Sequence, residues 1–198
     1  MHLQTLIDAW NTFFHAPESC APQVLFRLLF GSLMLLNAVL LIPLVTEFYS
    51  VDSMWSLAAW QHHQGRSRLC LLHLMPPTTG SFRVLLLIHL MSCITFLLGW
   101  QFRVSSIVLF VTLVSIHHWN TFVLSSGDTL LRMMSFFAMF SSAGNAFSVD
   151  AWLKGTSDFP TVDPWPLRLM QLQISIVYLR TVYWKLRGAT WWNGTAVW

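Results

Sequence analysis

The sequence predicts an all-α integral membrane protein, a bundle of about five transmembrane helices preceded by an N-terminal amphipathic helix at the interface. Three observations carry that prediction. Hydrophobic residues make up 55% of the chain and charged residues only 10%, against about 25% charged in ordinary soluble domains. The mean hydropathy is +0.57. The apolar residues come in blocks, several of them long enough for a hydrocarbon core about 30 Å thick. A chain of 198 residues then holds one transmembrane domain, residues 22–198, behind an amphipathic segment, residues 1–21.

The elements follow in order. The first fifteen residues lack the basic start of a signal peptide. Their Leu3, Leu6, Ile7 and Trp10 recur at helical spacing, which predicts a short helix lying on the membrane. Span one is residues 24–44, opened near Pro22 and closed by Pro43, with Arg27 placed to snorkel and Asn37 deep enough to want a partner helix. Residues 45–81 form the longest polar connection. It carries Glu47, Asp52, His62, His63, Arg66 and Arg68, the interfacial Trp55 and Trp60, a short helix at 53–61, and a Pro76-Pro77 break. Span two, residues 82–98, has His89 near its centre, where it is expected to hydrogen-bond a neighbouring helix. The turn 99–103 is so short that span three, from 104 to about 116, must run antiparallel beside span two. Span three is β-branched and Ser-rich, yet a lone strand in lipid would leave its backbone unsatisfied, so a helix is predicted. Ser125-Ser126-Gly127-Asp128 leads into a helix N-cap. Span four covers 129–147, and its Ser141, Ser142, Ala143 and Gly144 allow close packing. A polar loop with two prolines precedes span five, from 165 to about 186.

Several function classes fall away. The net charge of +3 and pI near 9.0 come from scattered basic residues, with no stripe to track phosphates, so nucleic acid is excluded as a partner. Cys20, Cys70 and Cys93 have neither disulfide nor zinc spacing. No nucleotide-loop, serine-hydrolase or metalloprotease motif occurs. Basic residues divide almost evenly between span ends, so the orientation is not fixed.

Ionisable residues inside spans are functional candidates by default. On span five Gln171, Tyr178 and Lys185 are seven apart and share one helix face, with Gln173, Arg180 and Arg187 in a second polar row. A lysine held in an apolar site surrenders its proton more easily, so Lys185 is a candidate base; the alternative is that it snorkels to headgroups. Asp128 and Arg132, one turn apart, are spaced to pair, and Asp128 suits a helix N-terminus. Arg132 is also placed to meet an anionic or quinone-like oxygen. His117-His118 has no metal-ligand spacing, since adjacent residues point apart and no third ligand is near; interface histidines and a proton-handling role both stay open. No metal is predicted. Asn193-Gly194-Thr195 matches a short glycosylation signal.

Several segments, in order, resemble the HTTM family, the membrane domain related to vitamin K-dependent γ-carboxylase. They are Phe48-Tyr49-Ser50, Leu98-Gly99-Trp100-Gln101-Phe102-Arg103, His117-His118-Trp119-Asn120 and Ser126-Gly127-Asp128-Thr129-Leu130-Leu131-Arg132. Ser148-Val149-Asp150-Ala151-Trp152-Leu153 follows, then Leu167-Arg168-Leu169-Met170-Gln171-Leu172-Gln173, Val177-Tyr178-Leu179 and Lys185-Leu186. Gly188 and Trp192-Asn193-Gly194-Thr195-Ala196 complete the ending. The resemblance implies a multi-helix membrane fold in which Lys185 is the base that deprotonates a vitamin K hydroquinone-like quinol. Reaction with O2 then yields a strong base that takes a γ-proton from glutamate, and CO2 adds to the carbanion. The sequence departs from the carboxylase at Trp184, where the enzyme has a second lysine, and at Gly127-Asp128, where local alignment puts its histidine. The carboxylase's large C-terminal domain has no counterpart, and family members continue past the position of Trp198, so a fragment or a reduced core is expected.

The expected function is therefore that of a membrane-embedded, carboxylase-like protein, a carbon–carbon lyase if an enzyme. Lys185 is its catalytic residue, and Tyr178, Gln171, Arg132, Asp128, His117 and His118 bind the substrate or a reduced quinone. Two alternatives stand beside it: a non-catalytic subunit that gives helices and a lipid or quinone pocket to a larger membrane complex, and a factor for peptide maturation. The expected partners are the bilayer, a quinone or lipid, and other membrane subunits. The expected location is a multi-pass position in a membrane.

Overall fold

The structure, a computed structural model, describes residues 2–49, 70–74, 78–119, 124–156 and 158–196. The predicted helix at 53–61, the pair His62-His63, Trp55, Trp60 and the Pro76-Pro77 break lie outside the described residues.

Among the described residues the fold is all-α apart from one two-residue ladder. Helix α1 is His2–His15 and strand β1 is Glu18–Ser19. Helix α2 is Ala21–Leu41, started by Pro22, whose missing N–H costs nothing in a first turn. A short α3, Val45–Phe48, and a 3-10 turn, Leu71–Leu74, precede α4, Thr79–Leu98. Helix α5 is Phe102–Trp119, α6 is Ser126–Ala138 and α7 is Val149–Leu153. Strand β2, Thr161–Val162, pairs antiparallel with β1. Helix α8, Trp165–Arg187, and a last turn α9, Ala189–Trp192, complete the chain.

Among the described residues, three helices are long and apolar enough to cross a membrane: α2, α4 and α5. They match predicted spans one, two and three. Helices α4 and α5 are packed antiparallel across the tight turn, and α2 lies against α4. Gly31 lets that contact close, because a Cβ there would stand 3.2 Å from the backbone of Leu97. The predicted span four differs. Helix α6 has 13 residues, about 20 Å at 1.5 Å per residue, and the chain then turns through residues 139–148. Ser141, Ser142, Ala143 and Gly144 lie past the end of the helix, and the close packing read for them holds without it: a Cβ on Gly144 would stand 2.6 Å from Phe102. Helix α8 has the length of a span, but Arg168, Arg180, Lys185 and Arg187 keep it outside the apolar set.

The bundle has two ends. At one, Arg27 does not snorkel as expected. It is fully buried and donates to the carbonyl oxygens of Ala143 (2.6 Å), Ala146 (3.4 Å) and Phe147 in the non-helical chain between α6 and α7. Gln23 accepts from Ser142 N (2.7 Å) and donates to Asp163 O (3.2 Å). The Asp150 carboxylate accepts from Gln101 N (2.8 Å) and Phe102 N (2.9 Å), the free N–H groups that start α5. Gly99 makes the α4–α5 turn at φ +68°, and a Cβ there would lie 2.5 Å from Ser148 and 2.6 Å from the Arg27 guanidinium. At the other end Tyr49 stacks on Phe82 (ring centroids 4.4 Å), Leu71 N donates to Ser115 Oγ (3.0 Å), and Ser125 caps α6. Between the ends the core is Phe30, Met34 and Ala38 of α2 against Cys93, Phe96, Leu109, Leu113 and Met134.

Candidate functional site

Near the second end, the polar residues of the spans converge on a cavity of about 230 Å³ lined by Asn37, Tyr49, His89, His117 and Asp128 with Leu40, Leu41, Leu44, Leu113, Ile116 and Leu124. Each polar residue arrives on a different element. Asn37 comes from the last turns of α2, His89 from the middle of α4, His117 from the end of α5 and Asp128 from the first turn of α6. Tyr49 closes α3.

The local chemistry sets each group's state. His89 Nδ1 lies 2.8 Å from Thr112 Oγ1 on α5, the partner-helix bond expected of it. The Thr112 hydroxyl points its hydrogen at Val108 O (2.7 Å), so His89 Nδ1 is the donor. His89 Nε2 is then an acceptor, 3.7 Å from Cys93 Sγ. Asp128 and Ser125 form a reciprocal cap: Asp128 Oδ2 accepts from Ser125 N (2.6 Å), and Ser125 Oγ accepts from Asp128 N (3.4 Å). The other carboxylate oxygen, Oδ1, faces His117 Nε2 at 3.9 Å, an electrostatic contact too long for a hydrogen bond. Burial first, and the charge of Asp128 second, push the Tyr49 phenol up to about 12, so it stays protonated.

The structure brings Asp128 and His117 together and sets Arg132 and His118 beside them. The Asp128–Arg132 pair that the spacing allows is absent from the ion pairs of the described residues. Arg132 instead donates to His118 Nε2 (3.4 Å) and Thr129 Oγ1 (3.2 Å), leaving Asp128 to its cap and His117. Adjacent His117 and His118 do point apart, one into the cavity and one to Arg132.

The α8 residues are elsewhere. Gln171 accepts from Arg168 (3.1 Å), Tyr178 is 69% exposed, and the exposed Lys185 holds its ammonium 4.5 Å from the Trp191 ring centroid. Helix α8 is anchored at its start, with Met170 in the core; from Gln171 to Arg187 the chain leaves all but the half-buried Gln173 exposed. Sequence reasoning nominated neither Tyr49 nor Asn37 for the site. The signals were there: Tyr49 sits in a family segment, and Asn37 is a polar residue deep in a span.

Three apolar spans and a polar cavity between them define a membrane protein of the all-α class. The chain belongs to the HTTM domain family, whose model matches residues 15–198, essentially the whole chain. This is the domain of vitamin K-dependent carboxylase-like membrane proteins. No curated protein and no solved structure matches the chain.

Proposed function

We propose that this protein is a membrane-embedded, carboxylase-like enzyme that takes a quinol or another lipid-soluble substrate, with Lys185 as base. The observation that carries the substrate-binding half of the reading is the polar cavity among the apolar helices, which Lys185 does not line. Asp128, His117, His118 and Arg132 are the binding groups on this reading, and a reduced quinone is the expected cofactor. Lys185 is exposed from the chain on the last turn of α8, and its role as base rests on the resemblance alone. Gln171 and Tyr178, on the same face, would bind the substrate there. Helix α8, which has the length of a span, would add a fourth crossing, and α1 would lie at the interface on its exposed Leu3, Leu6, Ile7 and Trp10.

The test is quinol-dependent incorporation of labelled CO2 into a glutamate-containing peptide by the purified protein in lipid. Incorporation in the wild type, lost in Lys185→Ala with helicity retained, supports the reading; none in the wild type removes it. One observation favours a second reading, a non-catalytic subunit of a membrane complex. The distal half of α8 exposes Ile174, Ile176, Leu179, Val182 and Leu186 together with Arg180 and Lys185. A helix polar and apolar on all sides is stable where other helices cover it. Crosslinkers placed at 176 and 183 would capture a discrete membrane partner on this reading, and lipid alone on the first.

A further inference from the structure

The end of the bundle held by Arg27 and Asp150 carries a second concavity, distinct from the cavity at His117. It is an open groove of about 690 Å³, within the roughly 300–1,000 Å³ of small-molecule sites. Leu28 of α2, Leu97 and Leu98 of α4, and Phe147, Trp152 and Phe159 on and beside α7 line it.

Two features hold large rings at this groove instead of in the core. Phe147 has φ +48°, in the left-handed region that a bulky side chain rarely enters. Its carbonyl accepts from the buried Arg27 guanidinium, which ties the backbone down there, and its ring is left 73% exposed. Such a conformation persists only where the surroundings over-determine it, and it marks functional segments. The second feature is α7 itself. Ser148 caps the helix on Ala151 N, Ala151 is buried, and the next residue, Trp152, is turned outward and 78% exposed.

The walls decide what can lie between these rings. The two hydroxyls in the lining are spent, Ser148 on Gly144 O (2.6 Å) and Thr156 on Ala151 O (3.2 Å), so neither has a hydrogen left for a ligand. Water needs two to four polar partners and is poorly served by such a surface. An apolar chain recovers the dispersion contacts that these walls offer. The groove also continues into apolar faces of the long helices. Leu25 and Leu29 flank Leu28 on α2, and Ile94 precedes Leu98 by one turn on α4, all of them exposed. With these helices in a bilayer, a lipid tail reaches the groove without crossing a polar surface.

We propose that this groove holds one acyl chain of a bilayer phospholipid, clamped by Phe147 and Trp152. The site needs neither Lys185 nor the cavity at His117. It takes from the functional reading only that α2 and α4 lie in the membrane.

The probe is a phosphatidylcholine with a diazirine midway along one acyl chain, in nanodiscs that hold the full chain, with adducts mapped by peptide mass spectrometry. Labelling of residues 147–159 should level off as the probe's share of the lipid rises. Labelling of the exposed Leu33 and Leu40 on α2 should rise in proportion. Leu28→Trp, which fills the groove, should lower the labelling of 147–159 about fivefold, the scale of one lost aromatic contact. Phe147→Gly, which removes the ring and suits the left-handed backbone, should do the same without lowering the unfolding temperature. Circular dichroism and elution profile report folding of each variant. Labelling of 147–159 that rises in proportion, as on α2, overturns the proposal. So does labelling unchanged in folded Phe147→Gly, the result expected of a ring with a structural role alone. A photo-crosslinking residue at 152 that captures a second copy of the chain in place of lipid overturns it too. If Leu28→Trp does not fold, the wild-type titration and Phe147→Gly still decide it.

Discussion

At the scale of residues, the cavity's chemistry depends on which groups stay neutral, and Tyr49 gives the clearest handle. Its phenol is buried against Phe82 and feels the charge of Asp128, and the two effects raise it to about 12 from an ordinary 10. A raised folded value contributes stability that is fully present below pH 10 and is lost as pH rises through 12. Tyr49→Phe cannot ionise and lacks this loss. The wild type should therefore lose, relative to Tyr49→Phe, on the order of 2 kcal/mol between pH 10 and 12, read as a difference in thermal unfolding of the two proteins in detergent. Parallel curves across that window would show that the phenol is in contact with water. Sequence pattern marked Asp128 and His117 because ionisable residues at span ends stand out one at a time. It could not pair them, since sequence separation carries no information on which turn of α5 meets the first turn of α6. The sequence argument gave Asp128 both a helix cap and Arg132 as a partner; the cap forms, reciprocal with Ser125 and satisfying two helix-end N–H groups, while the pair with Arg132 does not.

At the scale of elements, several of the family's segments serve architecture rather than chemistry. Gly99-Trp100-Gln101-Phe102 is a turn whose two free N–H groups are held by Asp150, and Ser148 caps the helix that presents Asp150. Arg27 binds the carbonyls just before it. One latch thus joins α2, the α4–α5 turn and the end of α6. Asp150→Ala should strip two charge-assisted bonds and leave two N–H groups unpaired, costing about 2–4 kcal/mol; Asp150→Asn should recover part. Thermal unfolding in detergent reads the loss, and its partial recovery in Asp150→Asn assigns it to these two bonds. The three apolar spans and the turn between α4 and α5 were legible in the sequence, because a run of some twenty apolar residues has one physical solution in lipid. The break after Ala138 was not. Ser141, Ser142 and Gly144 permit both a close-packed helix and a terminated one. Past the break the carbonyls of Ala143 and Ala146 bind the buried guanidinium of Arg27, a partner far away in sequence that no local pattern names.

At the scale of the whole molecule, those contacts assign the loops to two faces even though the charges do not say which face is inside. Arg27 lies against Gly99, Asp150 is bonded to both Gly99 and Gln101, and Cys20 N donates to Pro160 O (3.0 Å), so the start of α2, the α4–α5 turn, α7 and the β1–β2 ladder share one end. The ends of α2 and α5, the start of α4 and the capped start of α6 share the other, joined by the stacking of Tyr49 on Phe82 and by the contact between His117 and Asp128. A helix of about 30 Å separates the two. With α2, α4 and α5 crossing the bilayer, as proposed, the cavity would open near one membrane surface and the latch around Asp150 would lie near the opposite one. Single cysteines at Gln101 and Lys154, in a background without Cys20, Cys70 and Cys93, should react with a membrane-impermeant maleimide from the same side of sealed vesicles. Cysteines at Leu44 and Ser126 should react only from the other side. Labelling of Gln101 and Ser126 from one side would mean that α5 does not cross the bilayer. The polar cavity would then be a pocket of a peripheral protein, and a lipid-soluble substrate would lose its route to His117.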